Sequence, residues 1–198
     1  AMTQQQESVV TPERLESGLT WQQYFADKVI RNRDKFQFNY DETRISDEDA
    51  AALRALVALP NGPARVLVLG EDWCPDVFRG LPVLVRIAEA AGMELRVFPR
   101  DDNLDIMKEF LKDGEHQSIP TAVFYTRDHR YICHWIERPA KANAEMGEMQ
   151  KLFEGLDREK DRDLMRDRYN EFQTGPTWSS WREATVKEIR ALLEEKSR

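Results

Sequence analysis

The most informative signal for the fold of this chain is the stretch Val66-Leu67-Val68-Leu69-Gly70-Glu71-Asp72-Trp73-Cys74-Pro75-Asp76-Val77. Residues 66–69 are all valine or leucine, which predicts a buried strand. Trp73-Cys74-Pro75 then opens a predicted helix that ends at Gly92. Cys74 therefore lies between a strand end and a helix start, where free backbone N–H groups favour a thiolate over a thiol.

A strand–helix–strand unit extends this stretch. Residues 93–98 form the next predicted strand, so the unit implies a parallel pair with a right-handed crossover. Residues 121–125 and 130–136 predict an antiparallel hairpin closed by a tight turn. We therefore expect one mixed sheet with the spatial strand order 94–98, 66–70, 121–125, 130–136.

These motifs resemble those of the thioredoxin family. Trp73-Cys74-Pro75 matches the family segment that carries the attacking thiol, and Ile119-Pro120-Thr121 matches the segment whose cis-proline packs beside it. The resemblance covers roughly residues 60–150 and implies an α/β thioredoxin-like fold: a central mixed sheet of four to five strands, flanked by helices. It also implies that Cys74 is the nucleophile and that six neighbours form the substrate-binding shell: Trp73, Pro75, Asp76, Ile119, Pro120 and Thr121.

Two positions depart from the family pattern. Val77 stands where a second cysteine would resolve the mixed disulfide. Val68 stands where many thioredoxins keep a buried acid that assists proton transfer. Cys133 lies on the predicted hairpin, away from the loop that carries Cys74, so we expect no disulfide between the two cysteines. The simplest interpretation of Cys133 is a small buried hydrophobic residue.

Two functions are compatible with this sequence. The first is a monothiol redox protein, in which Cys74 attacks a protein disulfide or a glutathione adduct and an external thiol resolves the intermediate. The intact segment around Cys74, together with Pro120, favours this function. The second is a non-catalytic thioredoxin-like binding or scaffold module that uses the cleft near Trp73 and Pro120. The loss of the resolving cysteine and of the buried acid favours the second function.

The charge around Cys74 does not decide between them. Three nearby carboxylates disfavour a thiolate: Glu71, Asp72 and Asp76. Each costs on the order of 0.7 kcal/mol at about 6 Å in water, whereas the helix terminus contributes about 0.3–1 kcal/mol in the other direction. Three arginines are candidates to offset the carboxylates: Arg79, Arg100 and Arg138. The loops that carry the last two are expected to reach the Cys74 end of the sheet.

Composition limits the other classes of function. The net charge of −7 and the pI near 5.2 argue against nucleic-acid binding, which needs a basic face. No apolar run reaches membrane-spanning length and the polar N-terminus has no signal-peptide core, so no membrane association is expected. Two cysteines in 198 residues are too few for a disulfide scaffold of the kind found in secreted proteins. We therefore expect the protein to reside in the reducing cytoplasm. Because the three histidines lack ligand spacing, no metal or other cofactor is predicted: His116, His129 and His134.

The thioredoxin-like core is expected to lie between two helical extensions. Residues 1–60 form the predicted N-terminal extension, which ends at the turn Pro60-Asn61-Gly62-Pro63. The core follows at residues 61–156. Residues 157–198 form the predicted C-terminal helical extension, packed on the core.

Patterns within the extensions give further expectations. A helix is predicted over residues 21–33, with residues 2–17 loosely held before it. The alternation at 36–40 is typical of a short strand or an extended link. Residues 140–156 are predicted to form a helix. The dense, nearly balanced charge of 157–172 predicts a solvated helical face.

Overall fold

The structure, a computed structural model, describes residues 7–197. Its centre is a mixed sheet of four strands in the order β2-β1-β3-β4. β1 is parallel to β2 and antiparallel to β3, and β3 is antiparallel to β4, so the predicted strand order is confirmed. The strands are β1 Arg65–Gly70, β2 Glu94–Pro99, β3 Thr121–Tyr125 and β4 Tyr131–Ile136.

The described residues also form ten α-helices. Four precede the sheet: α1 Pro12–Glu16, α2 Trp21–Asp27, α3 Arg33–Glu42 and α4 Asp47–Val57. Two lie between strands: α5 Pro75–Ala91 and α6 Leu104–Met107. Four follow the sheet: α7 Ala140–Ala144, α8 Met146–Lys151, α9 Arg162–Gln173 and α10 Pro176–Lys196. No helix within residues 7–197 combines the length and apolar character that crossing a membrane requires.

α5 is the central helix of the fold. Pro75 occupies its first position, where a missing N–H costs nothing, and Gly92 ends it in the left-handed conformation with φ of 82°. Most of its side chains are buried, because α3, α4 and α10 all pack against it. The helix therefore connects the helices before the sheet to those after it, and it begins at Cys74.

The prediction of a short strand or an extended link at 36–40 is wrong, because these residues lie in α3. Phe36 and Asn39 are three residues apart and both are buried on one helical face. Phe36 packs edge-on against Phe78 of α5, with ring centroids 6.2 Å apart. Packing against α5 thus outweighs the local alternation. The helix predicted over 21–33 ends earlier, at Asp27, and a short loop leads into α3.

Residues 8–17 pack against the rest of the protein, so the prediction of a loosely held segment is wrong for them. Residues 2–6, which the same prediction included, lie outside the described residues. Val10 and Leu15 are buried in the core. Arg14 pairs with Asp105 at 3.0 Å. Leu19 then exchanges two backbone hydrogen bonds with Val97, of 3.0 and 2.7 Å, along the outer edge of β2.

The C-terminal third differs from the sequence prediction in where its helices begin and end. The helix predicted over 140–156 is divided into α7 and α8, which meet at Glu145. The charged segment is helical only from Arg162, where α9 begins, and most of the charged side chains of α9 are exposed. Phe172 and Gln173 of α9 nevertheless face the protein interior, and Phe172 packs edge-on against Trp181 of α10.

Candidate functional site

Cys74 occupies the N-cap position of α5, immediately after the loop that leaves β1. Its carbonyl oxygen accepts the N–H groups of Val77 and Phe78 at 2.9 and 3.0 Å. Its thiol is partly buried and donates to the carbonyl oxygen of Ile119, with a sulfur–oxygen distance of 3.8 Å. The structure therefore brings together the two motifs that are 45 residues apart in the sequence.

The segment that faces Cys74 contains a cis Ile119–Pro120 peptide bond, as predicted. Gly80 of α5 allows the close approach of Pro120, because a Cβ at residue 80 would lie 3.3 Å from the Pro120 ring. The side chains of Ile119, Pro120 and Thr121 are buried, and Thr121 donates to the carbonyl oxygen of Ser118 at 2.8 Å. A partner at this segment would therefore meet mainly backbone.

Trp73 is the exposed part of the site, with 47% of its surface accessible. The guanidinium of Arg100 lies 5.5 Å from the centroid of the Trp73 ring and also donates to the carbonyl oxygen of Gln117 at 3.1 Å. The loop after β2 therefore reaches the Cys74 end of the sheet, which confirms that prediction. An exposed aromatic ring beside a thiol offers a contact surface for an apolar or planar group.

Asp76 is paired with two arginines. Its carboxylate lies 2.6 Å from Arg79 and 2.8 Å from Arg138, which confirms that the loop after β4 reaches this end of the sheet. Arg79 is almost fully buried, and its guanidinium lies 4.8 and 5.2 Å from the rings of Trp178 and Trp181. The ion pair between Asp76 and Arg138 thus connects the first turn of α5 to the loop after β4. Arg79 connects the same turn of α5 to α10.

The surroundings of Cys74 disfavour its thiolate form. Burial is the largest influence and raises the pKa of Cys74 above its ordinary value, and the carboxylate of Asp76 adds to the rise. The backbone N–H of Val77 and the charge of Arg79 lower the pKa, but they do not reverse the effect.

Cys133 agrees with its simplest interpretation, a small buried hydrophobic residue. Cys133 is buried on β4 opposite Phe124, and burial raises its pKa to about 12. Both cysteines are free. Val77 is fully buried against Gly70, where a Cβ at residue 70 would lie 3.0 Å from a Val77 methyl group. No second thiol is therefore available on the first turn of α5.

Glu71 adds a titratable group beside the Cys74 loop. Burial raises its pKa to about 7, and the neighbouring carboxylate of Asp101 contributes to the rise. Asp101 is in turn held by Arg100 at 3.0 Å. Glu71 therefore carries its proton well above the pH at which an ordinary glutamate loses it.

We expect Glu71→Gln to flatten the pH dependence of stability. The folded-state pKa of Glu71 lies above the unfolded value, so its stabilising proton is fully present below about pH 4.5 and is lost as pH rises through about 7. Because Glu71 is partly exposed, the loss should be about 1 kcal/mol. Urea unfolding at pH 5 and pH 8 measures it. Glu159→Gln, at an exposed site, serves as the control, and an equal pH dependence in wild type and Glu71→Gln would contradict the prediction.

Two contacts of the site were not predicted from the sequence. Asp72 accepts the N–H groups of Ile30 and Arg31 at 3.0 and 2.8 Å, so the loop between α2 and α3 is attached to the Cys74 loop. Tyr169 of α9 is the second: burial chiefly raises the pKa of its hydroxyl, a hydrogen bond with Gln173 and the charge of Arg79 lower it, and the charges of Asp76 and Cys74 raise it further. Tyr169 and Phe172 are the two aromatic residues of the charged run 157–172, which indicates an inward-facing side of the helix but not the residues that it contacts.

The described residues contain no group of three or more histidine, cysteine, aspartate or glutamate side chains that could hold a metal ion. The chemical groups at the site are one thiol at a helix N-terminus and the carboxyl and guanidinium groups around it.

This arrangement of strand, thiol, helix and facing cis-proline defines a thioredoxin-like protein. A family model described as thioredoxin matches residues 18–152, and the chain belongs to that family. No curated protein sequence matches the chain.

Two solved structures share the fold over nearly their whole length. One is a protein of unknown function from Pseudomonas aeruginosa, which is 15% identical with a TM-score of 0.64; the match covers 94% of this chain and 98% of that one. The other is a scaffold for an HIV epitope, which is 16% identical with a TM-score of 0.63; the match covers 96% and 99%. At these identities the likeness establishes the fold alone.

Proposed function

We propose that the protein is a monothiol redox protein in which Cys74 exchanges with disulfides of low-molecular-weight thiols such as glutathione. The observation that carries the proposal is the position of the Cys74 sulfur, at the N-cap of α5 and 3.8 Å from the Ile119 carbonyl oxygen. In the thioredoxin family the corresponding thiol is the nucleophile. The surrounding shell comprises the predicted neighbours Trp73, Pro75, Asp76, Ile119, Pro120 and Thr121.

The reaction proceeds in two balanced exchanges. The Cys74 thiolate attacks one sulfur of a disulfide, so that a mixed disulfide forms and the other sulfur leaves as a thiolate. An external thiol then attacks the mixed disulfide, releases Cys74 and carries the first sulfur away as a new disulfide. Because Val77 cannot resolve the intermediate, the second step depends on that external thiol. A reducing compartment such as the cytoplasm supplies it.

The shape of the site favours a small partner. The side chains of the Ile119-Pro120-Thr121 segment are buried, so a folded protein substrate would find little side-chain surface there. Trp73 remains accessible and offers a ring to the peptide portion of a small thiol. A tripeptide disulfide needs only the sulfur, this ring and adjacent backbone groups.

Mass spectrometry after treatment with oxidised glutathione near neutral pH tests this proposal. The wild-type chain should gain one glutathione on Cys74 and keep it until a reducing thiol is added. Cys74→Ser should remain unmodified, whereas Cys133→Ser should be modified like wild type, because Cys133 is buried with a raised pKa. A wild-type chain that stays unmodified would contradict the proposal.

The second candidate is a non-catalytic thioredoxin-like module that binds or scaffolds a partner. The raised pKa of Cys74 favours it, because a protonated thiol is a weak nucleophile. Binding would then use the exposed ring of Trp73 without chemistry at the sulfur. The same experiment distinguishes the two, since an unmodified Cys74 in the wild-type chain supports the binding module.

A further inference from the structure

The two outer strands of the sheet differ in how their edges are treated. β4 is the last strand and pairs on one side only, with β3. At the other end of the sheet, Leu19 forms backbone hydrogen bonds with Val97 along the outer edge of β2. No other segment within residues 7–197 forms such bonds along the outer edge of β4. The edge of β2 is therefore occupied, whereas the edge of β4 is open.

The register of β4 against β3 shows which backbone groups point outwards. This register is regular over 133–136, and the N–H of Glu137 donates to the carbonyl oxygen of Pro120 at 2.7 Å. Because backbone groups alternate in direction along a regular antiparallel strand, those of His134 and Ile136 face away from β3. Neither backbone group of His134 has a hydrogen-bond partner within the described residues. A strand placed beside β4 would pair with them.

The side chains of β4 leave this edge accessible to another strand. Edge strands in natural proteins commonly carry charged residues or proline, which discourage pairing. The six residues of β4 include no lysine, arginine, aspartate, glutamate or proline. A bulge at Ile132 interrupts only the start of the strand, where Tyr131 is exposed. The remainder of β4 is therefore suited to pairing with an extended segment.

The sequence of β4 is complementary to itself when two copies run antiparallel. A two-fold axis at His134 places Ile136 opposite Ile132 of the second copy, so apolar side chains meet across the junction. The two copies of His134 then exchange both of their free backbone hydrogen bonds. Beyond the strand, Arg130 faces Arg138 of the second copy, but each of these arginines already pairs with a carboxylate.

We propose that β4 pairs antiparallel with β4 of a second copy of this chain, so that two four-stranded sheets become one continuous sheet. Because Leu19 occupies the edge of β2, the pair has no second open edge and association stops at two copies. The dimer requires no chemistry at Cys74, so it does not depend on the proposed redox function.

Sedimentation of the full chain over a range of concentrations tests this inference. The apparent mass should rise from 23.2 kDa towards twice that value between about 5 and about 500 µM, because association follows mass action. Pairing through one strand gives a small interface, so the dimer should be reversible. A mass that stays at 23.2 kDa throughout would overturn the inference.

Charge variants at the two-fold axis locate the interface. His134→Lys and His134→Asp each place two like charges opposite one another, so each variant alone should weaken the dimer at least about tenfold. An equal mixture of the two should restore it, because opposite charges then meet. Gln22→Lys, at an exposed position on α2, should leave the dimer unchanged. A dimer that neither His134 variant weakens, or a mixture that restores nothing, would refute pairing at this residue.

A cysteine at the same position tests the edge even if the charge variants unfold. Residues directly opposite in a hydrogen-bonded antiparallel pair have Cα atoms about 5.5 Å apart, which suits a disulfide. In a Cys74→Ser background, His134→Cys should therefore give a disulfide-linked dimer on mild oxidation with diamide. Cys74→Ser alone should not, because Cys133 is buried. Gln22→Cys in the same background is the control, and equally fast cross-linking of both cysteines would contradict the proposed edge.

Discussion

A Val77→Cys variant should reduce insulin-type disulfides on the order of a hundredfold faster than the wild-type chain. The wild-type chain must wait for an external thiol at millimolar concentration, whereas a neighbouring thiol attacks at a far higher effective concentration. Residues 74 and 77 lie on the first turn of α5, where Cα separations suit a disulfide. The loss of a methyl group from fully buried Val77 should cost about 1 kcal/mol.

The assay is precipitation of reduced insulin under dithiothreitol, with mass spectrometry of the adduct in parallel. The variant should also release bound glutathione without added thiol. Val83→Cys places a buried thiol two turns further along α5, out of reach of Cys74, and should not gain turnover. Equal rates for Val77→Cys and wild type would show that Cys74 itself does not form the mixed disulfide.

Asp76→Asn should lower the free energy of unfolding by about 3 kcal/mol, because it leaves Arg79 buried without a counter-charge. The wild-type carboxylate lies 2.6 Å from Arg79 and 2.8 Å from Arg138. Arg79 has almost no contact with solvent, and its guanidinium lies beside the rings of Trp178 and Trp181. Urea unfolding followed by tryptophan fluorescence measures the loss, because both of these tryptophans are buried.

The chain offers a matched control for this pair. Asp163 and Arg166 of α9 are also an aspartate and an arginine three residues apart, but their side chains are 82% and 62% exposed. Asp163→Asn should therefore change stability by less than about 0.5 kcal/mol. Adding Arg79→Met to Asp76→Asn should recover part of the loss, as the buried charge is then removed. A loss of similar size in both aspartate variants would contradict the explanation by burial.

The sequence predicted the sheet because the governing signals are local. Residues 66–69 are apolar without a break, Gly92 marks the end of the crossover helix, and the hairpin strands are separated by a short turn. Handedness and connection rules then leave few arrangements. The segment 36–40 was predicted wrongly for the converse reason: its helix is stabilised by the contact between Phe36 and Phe78, which lies outside any local window.

The site could be predicted as far as the Cys74 and Pro120 motifs, but its outer parts could not. Asp72 and Tyr169 act through residues 40 or more positions away, and nothing in their local sequence indicates those contacts. The thiol pKa also depended on how Arg79 and Arg138 would be paired. Their shared partner Asp76 is visible in the sequence, but its distance from each guanidinium is set by the packing of three separate elements.

The pairing of Leu19 with Val97 has a consequence for how the chain can be shortened. An outer strand with free backbone groups is a template for strands of other molecules, and natural proteins cover or interrupt such edges to avoid aggregation. Here the segment before α2 supplies the cover, and Gly18 lets it lie flat, since a Cβ there would collide with the ring of Phe98. A chain that begins after Leu19 would keep all four strands and yet leave β2 open to self-association, so these few residues keep the sheet from extending between molecules.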